Sequence, residues 1–306
     1  MPFTQIIINS IIRGSQLGLL ALGVTMIFAI LRFANFAHGE FAVVGAYLAL
    51  LFSTTIKLPL LPAAIIAAGL TGLLAVCSDY LIFRRIRMAP GLVLLIAAMG
   101  LSITLRHIVS AIWGPDPLSY EKALGKSYVV FGARITSTQI MILAVAAAAM
   151  VSFHILLHKT KLGKAMRALS DNTALAQARG IDVENIIRWV WFICGCYAGL
   201  GGILIALETL LSPELGFNIL LAVFCAAILG GIGNVYGALV GAMVLGFVEN
   251  LGLFFDWSSV VSLLGVREAG TVLQIPTGYK PAIAFVALVV VLIFRPTGIL
   301  KGQKGD

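Results

Sequence analysis

The stretch IIINSIIRGSQLGLLALGVTMIFAIL, residues 6–31, decides the fold class. A helix that crosses a bilayer needs about 20 mostly apolar residues, and this stretch exceeds that length with Arg13 as its one charged residue. It is also too long for the apolar region of a signal peptide and has no basic segment before it. We therefore predict that residues 6–31 form the first membrane helix.

The composition of the whole chain supports the same class. Of its 306 residues, 60% are hydrophobic and 11% are charged, and the mean hydropathy is +1.04. Soluble domains carry about 25% charged residues, so a water-soluble enzyme, a disordered protein and a nucleic-acid-binding module are excluded. The net charge of +8 is typical of a membrane protein whose cytoplasmic loops carry excess Lys and Arg, and we predict no nucleic-acid partner.

Eight further apolar stretches follow the first. They are Phe41–Ile56, Leu60–Phe83, Leu92–Ile112, Thr138–Leu157, Ile186–Leu207, Ile219–Gly233, Ala238–Phe255 and Ala282–Phe294. Phe41–Ile56 and Ile219–Gly233 are short, as broken or re-entrant helices are. The sequence therefore predicts an all-α polytopic integral membrane protein, one domain over residues 1–306, with about eight to ten transmembrane helices, some of them broken or re-entrant.

Three positively charged clusters predict the topology. They lie within residues 84–87, 159–179 and 295–304, and the positive-inside rule places all three in the cytoplasm. An even number of predicted spans separates each cluster from the next, which agrees with this assignment. Residues 113–137 and 256–281 then face outward and the C-terminus faces inward. The side of the N-terminus stays open.

The longest inward loop, about residues 159–185, has a helical pattern of its own. Its first part repeats apolar residues at the spacing of an amphipathic helix. These are Leu162, Ala165, Met166 and Leu169. Capping side chains in Ser170–Asn172 predict a second short helix, Thr173–Arg179. Gly180 stands where the glycine of a Schellman motif belongs, and Asp182 is a candidate cap for the next membrane helix.

Two interpretations of this loop remain open. The pair of helices is either a docking element for a cytoplasmic partner or an interfacial segment whose basic residues face anionic lipid headgroups. A helix as short as Thr173–Arg179 is marginal by itself, which favours a partner that holds it.

A group of polar residues interrupts the apolar pattern after the first span. Asn35, His38, Gly39 and Glu40 lie between two apolar runs, and a charge within a membrane costs about 2.5–3.5 kcal/mol on insertion scales. The break either lines a solute path or acts as a gate hinge, or it is an interfacial loop whose polar groups meet water or cap the next helix.

Three other charges also require an explanation. Arg106 is expected either to face backbone carbonyls of a neighbouring helix or to bind a solute carboxylate. Asp79 is expected to pair with Arg84 or Arg85, about one turn away. Glu249 is expected near the outer surface, where its side chain reaches water.

Five stretches of the sequence carry a family resemblance. The segment KLGKAMRALSDN, residues 161–172, with GIDVENII, residues 180–187, resembles the coupling loop of ABC importer permeases, and more specifically the LivH-type branched-chain amino-acid permease family. NFAHGEF at 35–41, LGGIGNVYGALVG at 229–241 and RPTGIL at 295–300 are similar to further motifs of that family. The glycine-rich motif often has Pro where this chain has Tyr236.

The resemblance implies an amino-acid importer built from several subunits in a bacterial inner (plasma) membrane. It implies a second permease subunit of the same or sister type, two cytoplasmic ATP-binding subunits and a periplasmic or extracellular solute-binding protein. The residues that it assigns to the ATPase-coupling loop are Arg167, Ala168, Asp171, Asn172, Ala174, Ala178 and Gly180. Gly231 and Gly233 join Asn35, His38, Gly39 and Glu40 as candidates for the translocation path or gate.

The chain is then a non-catalytic subunit that binds no cofactor, metal or ATP of its own. Its nearest approach to a phosphate-binding loop, residues 125–127, has Tyr120 where the first glycine is required. The solute stays open among branched-chain and other amino acids, urea, short amides and aromatic acids, and so does the choice between a homodimer and a heterodimer. A secondary transporter or channel that acts alone is the alternative function.

Overall fold

The computed structural model of the chain describes residues 3–120, 126–130, 132–255, 276–295 and 298–300. Residues 296–297 and 301–304 of the third positive cluster, Gly125 of the loop resembling a phosphate-binding motif, and most of the predicted outward stretch 256–281 lie outside this part of the chain.

Helices account for most of the described residues. They are α1 (Phe3–Leu31), α2 (His38–Thr54), α3 (Leu60–Ile86, which includes a π-helical turn at Asp79–Phe83), α4 (Gly91–Trp113), α5 (Ser137–Lys159), α6 (Lys161–Asp171), α7 (Thr173–Ala178), α8 (Val183–Ala206), α9 (Leu215–Gly230), α10 (Val235–Phe254) and α11 (Lys280–Phe294). A 3₁₀ turn, Thr277–Tyr279, precedes α11. An antiparallel hairpin, β1 (Ser127–Val130) and β2 (Ala133–Thr136), precedes α5 and was not expected.

Six helices, α1, α3, α4, α5, α8 and α10, are long and apolar enough to cross a membrane, and α2, α9 and α11 are shorter apolar helices. This confirms the predicted polytopic all-α class, apart from the small hairpin. The helix α1 is the most buried of the six and packs along α10, α8 and α9. It forms the centre of the bundle.

Glycines let the helices around this centre approach closely. A Cβ on Gly202 of α8 would collide with the backbone of Ala42 in α2, and one on Gly246 of α10 would lie 2.9 Å from the Cα of Gly14 in α1. Small residues at such contacts are typical of helix packing in membranes. They fix α1, α2, α8 and α10 as one tightly packed unit.

The two ends of α1 contact opposite ends of the bundle. The Arg32 side chain donates to the carbonyl of Ser170 at 3.2 Å, which places the C-terminal end of α1 beside α6. The Gln5 side chain donates to the carbonyl of Arg134 at 3.1 Å, which places the N-terminal end of α1 beside the hairpin. We call the end of the bundle at α6 the inner end and the end at the hairpin the outer end. Since α6 is predicted to face the cytoplasm, the N-terminus is predicted to lie on the opposite side of the membrane.

The three positive clusters lie at the inner end, as far as the structure describes them. Arg87 of the first cluster pairs with Glu184 at the start of α8, at 2.6 Å, directly after the second cluster. The backbone N–H of Ile299, beside the third cluster, donates to the carbonyl of Leu229 at the end of α9, at 2.8 Å. This arrangement agrees with the topology expected from the charges.

The chain between α1 and α2 confirms a break only over residues 32–37, which include Asn35, whereas His38, Gly39 and Glu40 form the first turn of α2. Residues 32–37 are not helical, and Phe33, Asn35 and Ala37 in this segment are at most 4% exposed. The Phe33 ring stacks on Phe83 at 5.3 Å between centroids, and the Asn35 side chain accepts a hydrogen bond from the Ala37 N–H. The segment turns back among the helices before α2 continues to the outer end.

Two of the unexplained charges form ion pairs that the sequence did not predict. Glu249 lies near the outer end of α10, but it is fully buried rather than in contact with water, and it pairs with Arg13 of α1 at 2.9 Å. Asp79 accepts from Arg87 at 3.0 Å rather than from Arg84 or Arg85. The π-helical turn that starts at Asp79 rotates the residues after it relative to a regular α-helix, and Arg87 therefore reaches the Asp79 side.

Removing one partner of the Arg13–Glu249 pair should destabilise the bundle. In Glu249→Ala, the Arg13 guanidinium, 17% exposed in the native pair, is left without its carboxylate, and we expect a loss of roughly 3–5 kcal/mol in the free energy of unfolding. The measurement is denaturation of the purified chain in detergent. The double variant Arg13→Leu/Glu249→Leu is the control, because it leaves no lone charge and should recover most of that loss. Equal stability of Glu249→Ala and the native chain would contradict the assignment.

Candidate functional site

The helix α6 has the amphipathic character predicted for the inward loop. Met166 and Leu169 of the apolar stripe are buried against the bundle, together with Gly163, whereas the lysines of the helix face outward. The Thr160 side chain accepts from the Gly163 N–H at 3.0 Å and caps the helix. The helix thus lies on the inner end of the bundle, with its apolar side facing the bundle.

The helix α7 is closed at both ends by the expected devices. The side chain of Asn172 accepts from the N–H of Leu175 at 2.9 Å, so Asn172, and not Ser170 or Asp171, is the cap. At the other end the N–H of Ile181 donates to the Ala176 carbonyl, and the N–H of Gly180 donates to the Gln177 carbonyl. With φ +81° at Gly180, these bonds form the predicted Schellman motif.

Most of the predicted coupling residues are exposed on the surface of this helix pair. Six of the seven are exposed and Ala168 is partly buried; the exposed ones are Arg167, Asp171, Asn172, Ala174, Ala178 and Gly180. Asp182 caps α8 by accepting from the N–H of Asn185 at 3.1 Å. The pair is therefore a fixed protrusion, capped at its start, middle and end. Its side that faces away from the bundle is not covered by any described part of the chain.

A chain of hydrogen bonds connects α6 to two other helices. Arg167 of α6 donates to Nδ1 of His158 in α5 at 3.2 Å, since arginine has no acceptor. In neutral His158, Nε2–H then donates to the Tyr236 hydroxyl at 2.6 Å, and this hydroxyl donates to Nδ1 of His154 at 2.8 Å. The chain joins α6, the end of α5 and the first turn of α10.

Neither histidine is among the site residues predicted from sequence. Two signals pointed to them: a pair of histidines four positions apart at the end of a helix, and Tyr236 where the related motif often has Pro. Four residues apart on a helix is one turn, so His154 and His158 present their rings to the same hydroxyl group.

The late glycine-rich turn packs against the same region. Gly231 has φ +111° and Gly233 has φ +84°, conformations that residues with a Cβ rarely adopt. Asn234 then caps α10 by accepting from the Gly237 N–H at 3.0 Å. The two predicted glycines therefore shape the turn that sets where α10 begins.

A cavity of about 330 Å³ lies between this turn and α6. It is lined by Met26, Ala29, Ile30, Leu157, His158, Met166, Arg167, Ser170, Asp171, Gly233, Asn234, Val235 and Tyr236. Arg167 and Asp171 from the predicted coupling loop and Gly233 from the predicted gate thus meet at one site. We call it the inner cavity.

The residues of the first break lie deeper in the bundle. Asn35, His38 and Glu40 are each 1% exposed. The His38 ring packs on Gly23 of α1, and Gly39 lies against the backbone of Gly216 at the start of α9. None of the four predicted residues is among the described residues that line the inner cavity. The break and the inner cavity are two separate places.

Glu40 is the partner of Arg106, the charged residue on α4. Its carboxylate accepts from Arg106 at 2.7 Å and from the Ser102 hydroxyl at 3.3 Å. The Arg106 guanidinium also lies over the Phe217 ring, 5.0 Å from its centroid. Arg106 therefore pairs with a carboxylate of the protein itself, and the expected contact with backbone carbonyls of a neighbouring helix was wrong. The pair ties α4 to the start of α2.

The chain is similar to a known family of membrane transport proteins. A family model described as "Branched-chain amino acid transport system / permease component" matches residues 6–294. The high-affinity branched-chain amino acid transport system permease proteins LivH of Escherichia coli (strain K12) and BraD of Pseudomonas aeruginosa are each 30% identical to this chain, over 97% of it and 95% of their own length. A probable LivH of Methanocaldococcus jannaschii is also 30% identical, over 96% and 91%.

A solved structure agrees at the level of the fold. PsaBC from Streptococcus pneumoniae in complex with Fab matches 96% of this chain and 92% of its own with a TM-score of 0.51 and 14% identity. The match to the family model covers nearly the whole chain, and the relatives match over 91–95% of their own length. The chain therefore belongs to the family of permease components of branched-chain amino acid transport systems.

Proposed function

We propose that this chain is the membrane-spanning permease subunit of an ATP-driven ABC importer for branched-chain or similar small amino acids, in a bacterial inner membrane. The α6–α7 pair carries the proposal, because it is a rigid, capped protrusion at the positively charged end of the bundle. A six-residue helix such as α7 is marginal alone, and contact with a partner explains why its ends are so closely fixed.

The proposed partners are those that the family resemblance implies, assigned here to the two ends of the bundle. Two cytoplasmic ATP-binding subunits dock on the α6–α7 pairs of two permeases, this chain and a second one of the same or sister type. ATP is bound by those subunits and not by this chain. A periplasmic or extracellular binding protein delivers the solute at the outer end, and the path runs between the two permeases.

Movement of α6 reaches the bundle through specific contacts. The hydrogen-bond chain through Tyr236 ties α6 to the first turn of α10, and α10 packs along the central helix α1. The carbonyl of Ser170 at the end of α6 accepts from Arg32, where α1 ends. A shift of the docked pair is thus passed to both sides of the inner cavity.

The two breaks are the proposed gate elements. Asn35 lies in non-helical backbone enclosed by protein, and His38, Gly39 and Glu40 follow it in the first turn of α2. Gly231 and Gly233 set the start of α10 by their backbone conformation. Broken helices near the middle of a membrane often form substrate sites in transporters, and such backbone is tolerated only where it is buried in protein or lines a cavity. Both conditions support a role in the path.

Reconstitution in liposomes tests the proposed function. We expect uptake of L-leucine only when the two ATP-binding subunits, ATP and the solute-binding protein are all supplied. Leaving out the ATP-binding subunits is the decisive control. Uptake by this chain alone, without ATP, would instead establish the alternative of a secondary transporter or channel.

Substitution at Gly180 tests the docking role of the α6–α7 pair. Gly180→Val forces a branched residue into φ +81°, a conformation that costs an L-residue roughly 1–2 kcal/mol, and should release the end of α7. We expect loss of co-purification with the ATP-binding subunits while the amount of chain in the membrane stays the same. Gly180→Asn is the matched control, since Asn tolerates this conformation, and should retain the partners. Full retention by Gly180→Val would refute the docking assignment.

Substitution at Tyr236 tests the link between α6 and α10. Tyr236→Phe keeps the ring and removes the hydroxyl shared by His154 and His158, so α6 loses its connection to α10. We expect the complex to assemble but the uptake per ATP hydrolysed to fall several-fold. Tyr128→Phe, on the exposed outer hairpin, is the control and should behave like the native chain. An unchanged ratio in Tyr236→Phe would show that coupling takes another route.

A further inference from the structure

We propose that Arg87 is a positioning residue that connects the α6–α7 pair to the break at residues 32–37 by way of α4. The inference rests on the proposed function, in which the ATP-binding subunits move the α6–α7 pair. It adds a second route to the hydrogen-bond chain through Tyr236, which leads to α10. Three features carry it: the ion pairs of Arg87, the π-helical turn before this residue and the contacts of α4.

Arg87 joins carboxylates that belong to two different helices. Its Nη1 donates to Oε1 of Glu184 at 2.6 Å, and its Nη2 donates to both carboxylate oxygens of Asp79 at 3.0 Å. Asp79 is buried in α3, whereas Glu184 is half-exposed in the first turn of α8. Glu184 lies four residues after Gly180, where the α6–α7 pair ends. A shift of α7 that moves the start of α8 therefore acts directly on Arg87.

The π-helical turn brings Arg87 to the side of Asp79. In this turn the N–H of Arg84 donates to the carbonyl of Asp79, five residues earlier. Eight residues after Asp79, a regular α-helix has turned about 80° past its starting face, whereas the extra residue of a π turn leaves residue 87 within about 20° of that face. Helices also bend at π turns. The end of α3 therefore needs a hold of its own if it is to follow its neighbours.

The part of α3 before the π turn is already held on α8 by close packing. A Cβ on Gly72 of α3 would lie 2.8 Å from the carbonyl oxygen of Phe192 in α8, and one on Gly195 of α8 would lie 2.9 Å from the Cα of Gly72. Arg87 lies beyond the π turn, at the inner end. It is thus a second attachment of α3 to α8, and it makes the end of α3 follow the start of α8.

The helix α4 connects this end to the break. It begins at Gly91, shortly after Arg87, and its buried residues recur at helical spacing and form a single stripe. These residues are Leu94, Ala98, Ser102, Leu105 and Val109. Ser102 and Arg106 of α4 both donate to Glu40, in the first turn of α2. A displacement of the end of α3 is therefore passed along α4 to the residues that follow the break.

The two routes reach the two proposed gate elements. The hydrogen-bond chain through Tyr236 leads to the glycine-rich turn and α10, and the ion pairs of Arg87 lead through α4 to the break and α2. A shift of the α6–α7 pair can thus reach both elements at once. A buried ion pair stabilises a fold little compared with apolar residues of similar volume, so the pairing of Asp79 with Arg87 is better explained by a positional role.

Substitution at Glu184 tests the route in the complete complex, reconstituted with its ATP-binding subunits and solute-binding protein. Glu184→Ala breaks the link from α8 to Arg87 and leaves the buried pair of Arg87 with Asp79 intact. We expect assembly and the midpoint of thermal unfolding to stay unchanged, as for most surface substitutions, while the uptake of L-leucine per ATP hydrolysed falls several-fold. Glu184→Gln keeps an oxygen acceptor for Arg87 and should recover most of the ratio.

Arg84→Ala is the matched control for Glu184→Ala. It removes only the ion pair of Arg84 with Glu184, at 3.3 Å between two half-exposed side chains, and exposed pairs of this kind contribute little. This variant should behave like the native chain. A native ratio in Glu184→Ala, or an equal fall in Arg84→Ala, overturns the proposal.

The double variant Glu184→Ala/Tyr236→Phe tests whether the two routes are separate. The two links share no residue, so their effects on the ratio should multiply. A ratio no lower than that of the weaker single variant would refute a second route.

The native complex in the same measurement distinguishes this inference from the proposed function. If the native complex does not import L-leucine when ATP is supplied, the proposed function fails and the inference fails with it. If it imports L-leucine with ATP and Glu184→Ala keeps the native ratio, the inference alone fails and the proposed function stands.

Discussion

The whole structure depends on one requirement: backbone hydrogen-bonding groups within a bilayer have no water to bind and must be satisfied or enclosed by the protein. Regular helices meet this requirement over most of the described chain. At residues 32–37 the chain is not helical, and the bundle surrounds this non-helical backbone. The aromatic rings of Phe33, Phe83 and Trp191 pack around it. The central position of α1 is a consequence, since the helix that leads into the break must itself be enclosed by its neighbours.

Local features of the fold could be predicted from sequence because their signals lie within a few residues. The apolar runs identified the spans, and Asn172, Gly180 and Asp182 marked the ends of α7 and the start of α8. Long-range pairs could not be predicted in this way. Glu249 and Arg13 are far apart in the chain, and their contact depends on α1 packing along α10. The same holds for Glu40 and Arg106. Asp79 pairs with Arg87 because of a π-helical turn that the composition of the segment does not predict.

The candidate site was predicted in separate pieces that only the fold could join. The inward loop and the glycine-rich turn were each recognisable as motifs, but nothing in their spacing indicates that Arg167, Asp171 and Gly233 share one cavity. The hydrogen-bond chain was hidden for a different reason: each of its members has an ordinary role as a single residue. A histidine near a membrane surface gains significance only when a second one and a tyrosine hydroxyl are placed within reach of it.

The buried ion pairs have a consequence for the electrical behaviour of the protein. Arg13 with Glu249 and Arg106 with Glu40 are each neutral as a unit, and each joins two helices that move together while the pair stays intact. Displacing an isolated charge across a membrane involves about 2.3 kcal/mol per 100 mV, whereas a neutral pair carries no net charge through the field. Rearrangements that carry these pairs along as closed units therefore move no net charge of theirs through the membrane field.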